Sequence, residues 1–167
     1  MKKLVRFTIY FLLAIAIVSC KKTKGFNSLT DNQPEVAVSV ANVYDYLPSP
    51  TVKASKAENK ITITLQVPGD RKITEVKKIA ASTTANYTAI YSGTTVGTGT
   101  TQLWSSTPIQ VNASTYTFTT SFDEYKTKTA SGTPASNALL GRDFYFMLGL
   151  DNGQTVITMN IRVWVVD

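Results

Sequence analysis

Residues 143–166 read DFYFMLGLDNGQTVITMNIRVWVV, and their spacing decides the fold. Phe144, Phe146, Leu148 and Leu150 alternate, and Asp151-Asn152-Gly153 follows them. Successive side chains of a strand point to opposite faces, so apolar residues two apart line one buried face. Asn-Gly is the preferred pair where both central residues of a type I′ hairpin turn need positive φ. Ile157, Met159, Ile161, Val163 and Val165 resume the alternation. They predict a returning strand with its odd-numbered residues inward.

The same period extends toward the amino end. Val36, Val38 and Val40 share a face, as do Ile61, Ile63, Leu65 and Val67, and again Tyr116, Phe118, Thr120 and Phe122. Residues 73–80 and 86–91 read as weaker strands. Pro108 breaks 102–111 into an edge strand or two short pieces, because proline cannot donate to a ladder. Residues 123–129 (DEYKTKT) predict one helical turn ahead of a Gly/Pro/Ser-rich loop at 130–137. About seven or eight short strands with frequent turns predict an all-β fold, an immunoglobulin-like antiparallel β-sandwich. A small barrel is the alternative.

Ahead of this region lies a different kind of sequence. Lys2, Lys3 and Arg6 precede an almost wholly apolar run from Phe7 to Val18. At about a dozen residues the run is shorter than the ~20 that span a bilayer as a helix, and it has the pattern of a secretory signal peptide. It ends in Ile17-Val18-Ser19-Cys20, which resembles the bacterial lipobox, where a small residue precedes a lipidated cysteine. Cys20 is the sole cysteine, so no intramolecular disulfide competes for it. The expected organisation is a signal peptide at 1–19, a lipidated Cys20 with a polar tether at 20–34, and one β domain at 35–167. More than one acyl chain is needed for a lasting anchor, as a bacterial lipoprotein carries.

Charge narrows the partners. Six of the 17 basic residues lie in the leader and tether, and the other 11 equal the chain's 11 acids in number. A pI near 9.4 therefore says little about the domain, and nucleic acid loses its electrostatic basis as a partner. Lysines beside the lipid read first as part of a solvated, flexible tether and second as contacts for anionic headgroups.

The residues for chemistry are sparse. The chain has no histidine, which excludes Ser–His–Asp and Cys–His nucleophile systems, and Cys20 is assigned to the lipid. Structural zinc sites need the same residue types. Gly93, Gly97 and Gly99 lack the lysine and helix pattern of a phosphate loop, and read as a hairpin loop. Glycoside hydrolysis needs two carboxylates flanking one bond. Asp123 and Glu124 are adjacent and suit a helix start, while Asp143 and Asp151 border a strand and a turn. No cofactor or metal is expected, and calcium ligands are not spaced for binding around Asp70 or Asp151.

Aromatic residues are the remaining candidates. With odd residues inward, Trp164 falls on the opposite face together with Asn160 and Arg162. An indole beside polar neighbours either serves as a platform for a sugar ring or is covered by a neighbouring loop. Tyr145 opposes Phe144 and Phe146, so it would adjoin Trp164 if the last two strands pair. Trp164, Tyr145, Arg162 and Asn160 are thus the candidate glycan-binding set. Tyr87 and Tyr91 share a face as either core or surface, and alternation does not assign Trp104.

The stretches LGRDFYF (140–146) and DNGQT (151–155), with KITEVKKIAASTTANYTAIYSG (72–93) before them, resemble small lipoproteins of the Bacteroidota. Those proteins often accompany SusC/SusD-type glycan-uptake systems and carry an immunoglobulin-like domain. The resemblance covers about the last hundred residues and rests on strands and turns, so it implies fold and an outer-membrane setting without catalytic residues. Lys21-Lys22-Thr23-Lys24 departs from the acidic residues that often follow the lipidated cysteine in exported members, leaving the membrane face open. The first expectation is a non-catalytic accessory module that binds another envelope protein. Second is a carbohydrate-binding module, and an enzyme comes last.

Overall fold

A computed structural model describes residues 36–85, 87–94, 96 and 101–167. The leader, Cys20 and the tether lie outside the described residues, as do Gly97 and Gly99. The chain from Val36 to Asp167 forms one unit, and it is an all-β sandwich.

The strands are β1 (Ser39–Val40), β2 (Thr51–Ser55), β3 (Ile61–Gln66), β4 (Ile73–Ser82), β5 (Thr101–Ser105), β6 (Ile109–Ala113) and β7 (Thr115–Thr120). They continue with β8 (Ala138–Leu139), β9 (Asp143–Leu150), β10 (Thr155–Ile157) and β11 (Arg162–Val166). Two helices are interspersed, α1 (Tyr87–Ser92) and α2 (Phe122–Thr129). Three sheets form, ordered β1-β3-β7, β10-β9-β4-β5 with β6 also on β4, and β2-β11-β8. Among the described residues, the pairings between these strands are antiparallel except β2 with β11, which run parallel.

Strands form where the alternation is cleanest. Ile61, Ile63 and Leu65 are fully buried, whereas Thr62 and Thr64 are only half-buried. The two pieces expected around Pro108 are β5 and β6, which follow one another along the same edge of β4. The core is aromatic at its centre. Trp104 packs on Phe144 at 5.4 Å, Phe118 at 6.0 Å and Tyr125 at 6.3 Å between ring centroids, so this tryptophan faces inward.

The structure differs from expectation in four places. Residues 87–92 are helical although 86–91 reads NYTAIY, a strand-like composition. Ile90 points into a small second core with Ala80, Leu103 and Tyr145, and burial there overrides local propensity. The Lys78 ammonium donates to the carbonyls of Tyr91 and Gly93, both at 2.6 Å, closing the helix end. Gly93 is required, because a Cβ there would lie 2.5 Å from the Ala89 oxygen.

The 151–153 turn also differs. Only Gly153 among its residues has positive φ (82°), and its N–H donates to Leu150 O at 3.0 Å. This is a three-residue loop, a type I turn followed by a left-handed glycine, rather than type I′. Finally, the inward set shifts along the returning segment. Val156 is buried while Met159 is 51% exposed, and burial returns on the odd residues at Ile161, Val163 and Val165. Thr158 N still donates to Phe146 O, and Ile161 still pairs with Phe144, so residues 158–160 are an irregular step along β9, and a step of this kind re-aims side chains. The expected helical turn is a two-turn helix, α2, whose N-cap Ser121 accepts from Glu124 N at 3.0 Å.

Candidate functional site: an aromatic groove on the outer sheet

The step at 158–160 moves the chain from one sheet to another. β10 pairs with β9, whereas β11 pairs with β2 and β8. Because Val163 and Val165 are buried, Arg162 and Trp164 take the outer face. Residues level across a ladder share a face. Leu139, Trp164 and Lys53 therefore form one row, and Arg162 and Thr51 form the next.

Residues 41–50 fold back over the second row. Tyr44 N donates to Thr51 O and Thr51 N to Asp45 O, both at 2.7 Å, and Leu47 N donates to Asp45 Oδ1 at 3.0 Å. Arg162 ties this loop to the sheet. Its Nη2 donates to Leu47 O at 2.7 Å and its Nε to Thr51 Oγ1 at 3.1 Å. The buried Thr51 hydroxyl donates onward to Ser49 O at 3.0 Å.

The first row stays open. Beside it lies a groove of about 340 Å³ lined by Tyr44, Asp45, Thr51, Leu139, Arg162 and Trp164. Tyr44 is 59% exposed and Leu139 41%, and Tyr46 and Leu47 continue the apolar surface at the loop tip. Lys53 Nζ lies 3.8 Å from the centroid of the Tyr44 ring. Aromatic walls with a few placed polar groups are the usual make-up of a small-molecule site.

The groove brings together two of the four expected residues, Trp164 and Arg162. Asn160 lies beneath the loop, where its Oδ1 accepts from Ser49 Oγ at 2.9 Å and its Nδ2 donates to Asp143 Oδ2 at 2.8 Å. Both ends of its amide are thus engaged within the protein. Tyr145 is corrected: it is 1% exposed and packs edge-on against Tyr87 at 5.9 Å in the second core. It does not adjoin Trp164, because the last strand left the β9 sheet.

Sequence reasoning missed Tyr44, Asp45, Thr51, Lys53 and Leu139. The only local sign was YDYLPSP at 44–50, which places aromatics beside prolines in a segment that cannot continue as a strand. Compared with known proteins, the chain matches no family model, no curated protein and no solved structure.

The four acids weighed for catalysis, Asp123, Glu124, Asp143 and Asp151, do not line the groove, and each has a local partner. Asp123 and Glu124 pair with Lys126 at 2.7 Å and Lys128 at 3.3 Å along α2, and Asp151 lies 3.8 Å from Arg71. Hydrogen bonds from Lys126 and Asn59 hold the Asp123 carboxyl below its ordinary range.

Asp143 behaves oppositely. Burial holds its carboxyl above the ordinary value, outweighing the Asn160 hydrogen bond and the Arg162 charge that lower it. Burial, and then the Asp143 charge, push the nearby Tyr145 hydroxyl up to about 12. As pH rises from the ordinary carboxylate range, the unfolded chain releases the Asp143 proton before the folded one does. This residue's contribution to stability therefore declines through the window between the two values and levels off above both. Asp143→Asn removes that decline. Unfolding free energies of parent and variant measured between about pH 3 and pH 7 should diverge upward in favour of the variant, and parallel curves would refute the assignment.

Proposed function

We propose that this chain is a membrane-anchored, non-catalytic binding module of the bacterial cell envelope, and that its outer groove holds a saccharide. The observation that carries the reading is the half-buried Trp164 indole beside the exposed Tyr44 ring, with Arg162, Thr51 and Asp45 at the same groove. A pyranose presents an apolar face to stack on an aromatic ring and hydroxyls at its edge to bond polar groups. Arg162 and the loop that it fastens fix the groove's shape before a ligand arrives, which lowers the ordering cost of binding. The lipobox-like Cys20 and the apolar leader support the anchor, and the resemblance to Bacteroidota lipoproteins supports a glycan-uptake setting at the outer membrane.

A second reading keeps the accessory role and replaces the sugar with an envelope protein. Tyr46 and Leu47, 58% and 78% exposed at the loop tip, favour it. Glycan arrays on the purified chain separate the two readings. The sugar reading expects selective retention, weakened about tenfold or more by Trp164→Ala, the size of loss typical when a central tryptophan is removed. Retention of no glycan, or equal retention by the variant, would defeat it. Mass spectrometry of the mature amino terminus should find lipid on Cys20, and a free thiol there would defeat the anchor.

A further inference from the structure

Resting on the saccharide reading of the groove, we infer that its ligand is an acidic saccharide, one bearing a carboxylate or sulfate, and that Lys53 is the specificity-determining residue. The parallel register of β2 against β11 sets Lys53 level with Trp164, on the open row rather than beneath the loop. Lys53 is exposed, and its ammonium is held 3.8 Å from the Tyr44 ring centroid, at the rim of the groove.

This lysine is held by a ring and not by a carboxylate. Among the described residues, the side-chain ion pairs within 4 Å join Arg71, Lys77, Lys126 and Lys128 to carboxylates, and none includes Lys53. Arg162 is occupied differently: two of its nitrogens bond Leu47 O and Thr51 Oγ1, and its charge acts on Asp143. Asp45, the one acid lining the groove, turns Oδ1 toward Leu47 N at 3.0 Å. Lys53 is therefore the cation best placed to meet a ligand on Trp164.

The same geometry argues against a cationic ligand. Aromatic rings with an acid nearby commonly hold ammonium groups. Here the face of Tyr44 already carries the protein's own ammonium, and a second cation would meet its repulsion. An anion would meet its attraction, with Asp45 as the one opposing charge lining the groove.

Calorimetry on the full chain tests this with three tetrasaccharides: oligogalacturonate, a sulfated galactan fragment, and a neutral galactan fragment. At least one acidic ligand is expected to bind about tenfold more tightly than the neutral one, with a preference that shrinks as salt rises. Lys53→Met keeps the apolar stem and should erase that preference, read as the ratio of acidic to neutral affinity. Lys53→Arg should retain it. Lys53 is exposed, so neither variant threatens folding, and unchanged circular dichroism checks this. Equal affinity for acidic and neutral ligands, or a preference that survives Lys53→Met, overturns the inference while the groove reading stands. Binding of none of the three overturns the inference, and the glycan array decides the groove reading separately.

Discussion

Phe144→Ala is expected to lower the unfolding free energy by about 3–5 kcal/mol, the range for removing a phenyl group from a packed core. Phe144 is 0% exposed, and its ring lies 5.4 Å from Trp104, 5.5 Å from Phe118 and 6.1 Å from Tyr125. Truncation removes its apolar burial and leaves three large, rigid rings around a void. Those rings come from β5, β7 and α2, so the surroundings cannot close over the gap without moving three separate elements. Small domains carry about 5–15 kcal/mol in total, so the loss would consume a large share of the stability. Denaturant unfolding with unchanged m-value is the measurement, and Phe144→Leu should lose markedly less. A loss below about 1 kcal/mol would mean that the aromatic centre is not the core of this fold.

Arg162→Ala should be the next largest, at about 1.5–3 kcal/mol, the range for hydrogen bonds involving a charged group. The guanidinium is half-buried and joins the loop carbonyl of Leu47 to the Thr51 hydroxyl on β2. Without it Leu47 O loses its partner, and one tie between residues 41–50 and the sheet is gone. Arg162→Lys should recover little, because a single ammonium cannot reproduce the planar fork that reaches both oxygens. Two readouts are expected to move together: the unfolding midpoint falls, and proteolysis within 41–50 accelerates. If lysine restores both fully, charge rather than the two-point tie is what matters. If alanine changes neither, Arg162 does not hold the loop.

Much of the framework was legible in the alternation. Ile61, Ile63 and Leu65 were assigned inward from spacing alone and are fully buried, and Phe144, Phe146, Leu148 and Leu150 likewise. Such runs were readable because a strand with one buried face writes that face into every second residue. The errors fell where both faces are covered or where the chain changes sheet. β9 buries Tyr145 and Met147 as well as its phenylalanines, so alternation could not place Tyr145 at the surface or beneath a helix. β2, which carries Thr51 and Lys53, was missed, since five residues reading TVKAS offer too short a pattern to recognise.

The sequence by itself determined the β class, the alternating buried residues of β3 and β9, the position of the last hairpin, and the absence of histidine. Only the tertiary structure decided that Trp164 and Arg162 share a groove with Tyr44 and Thr51, while Tyr145 lies in a second core. The reason is range. Periodicity records which side of a strand is buried, a property of neighbours two residues apart. The groove instead depends on which strand lies beside β11, and its partner β2 is more than a hundred residues distant in the chain.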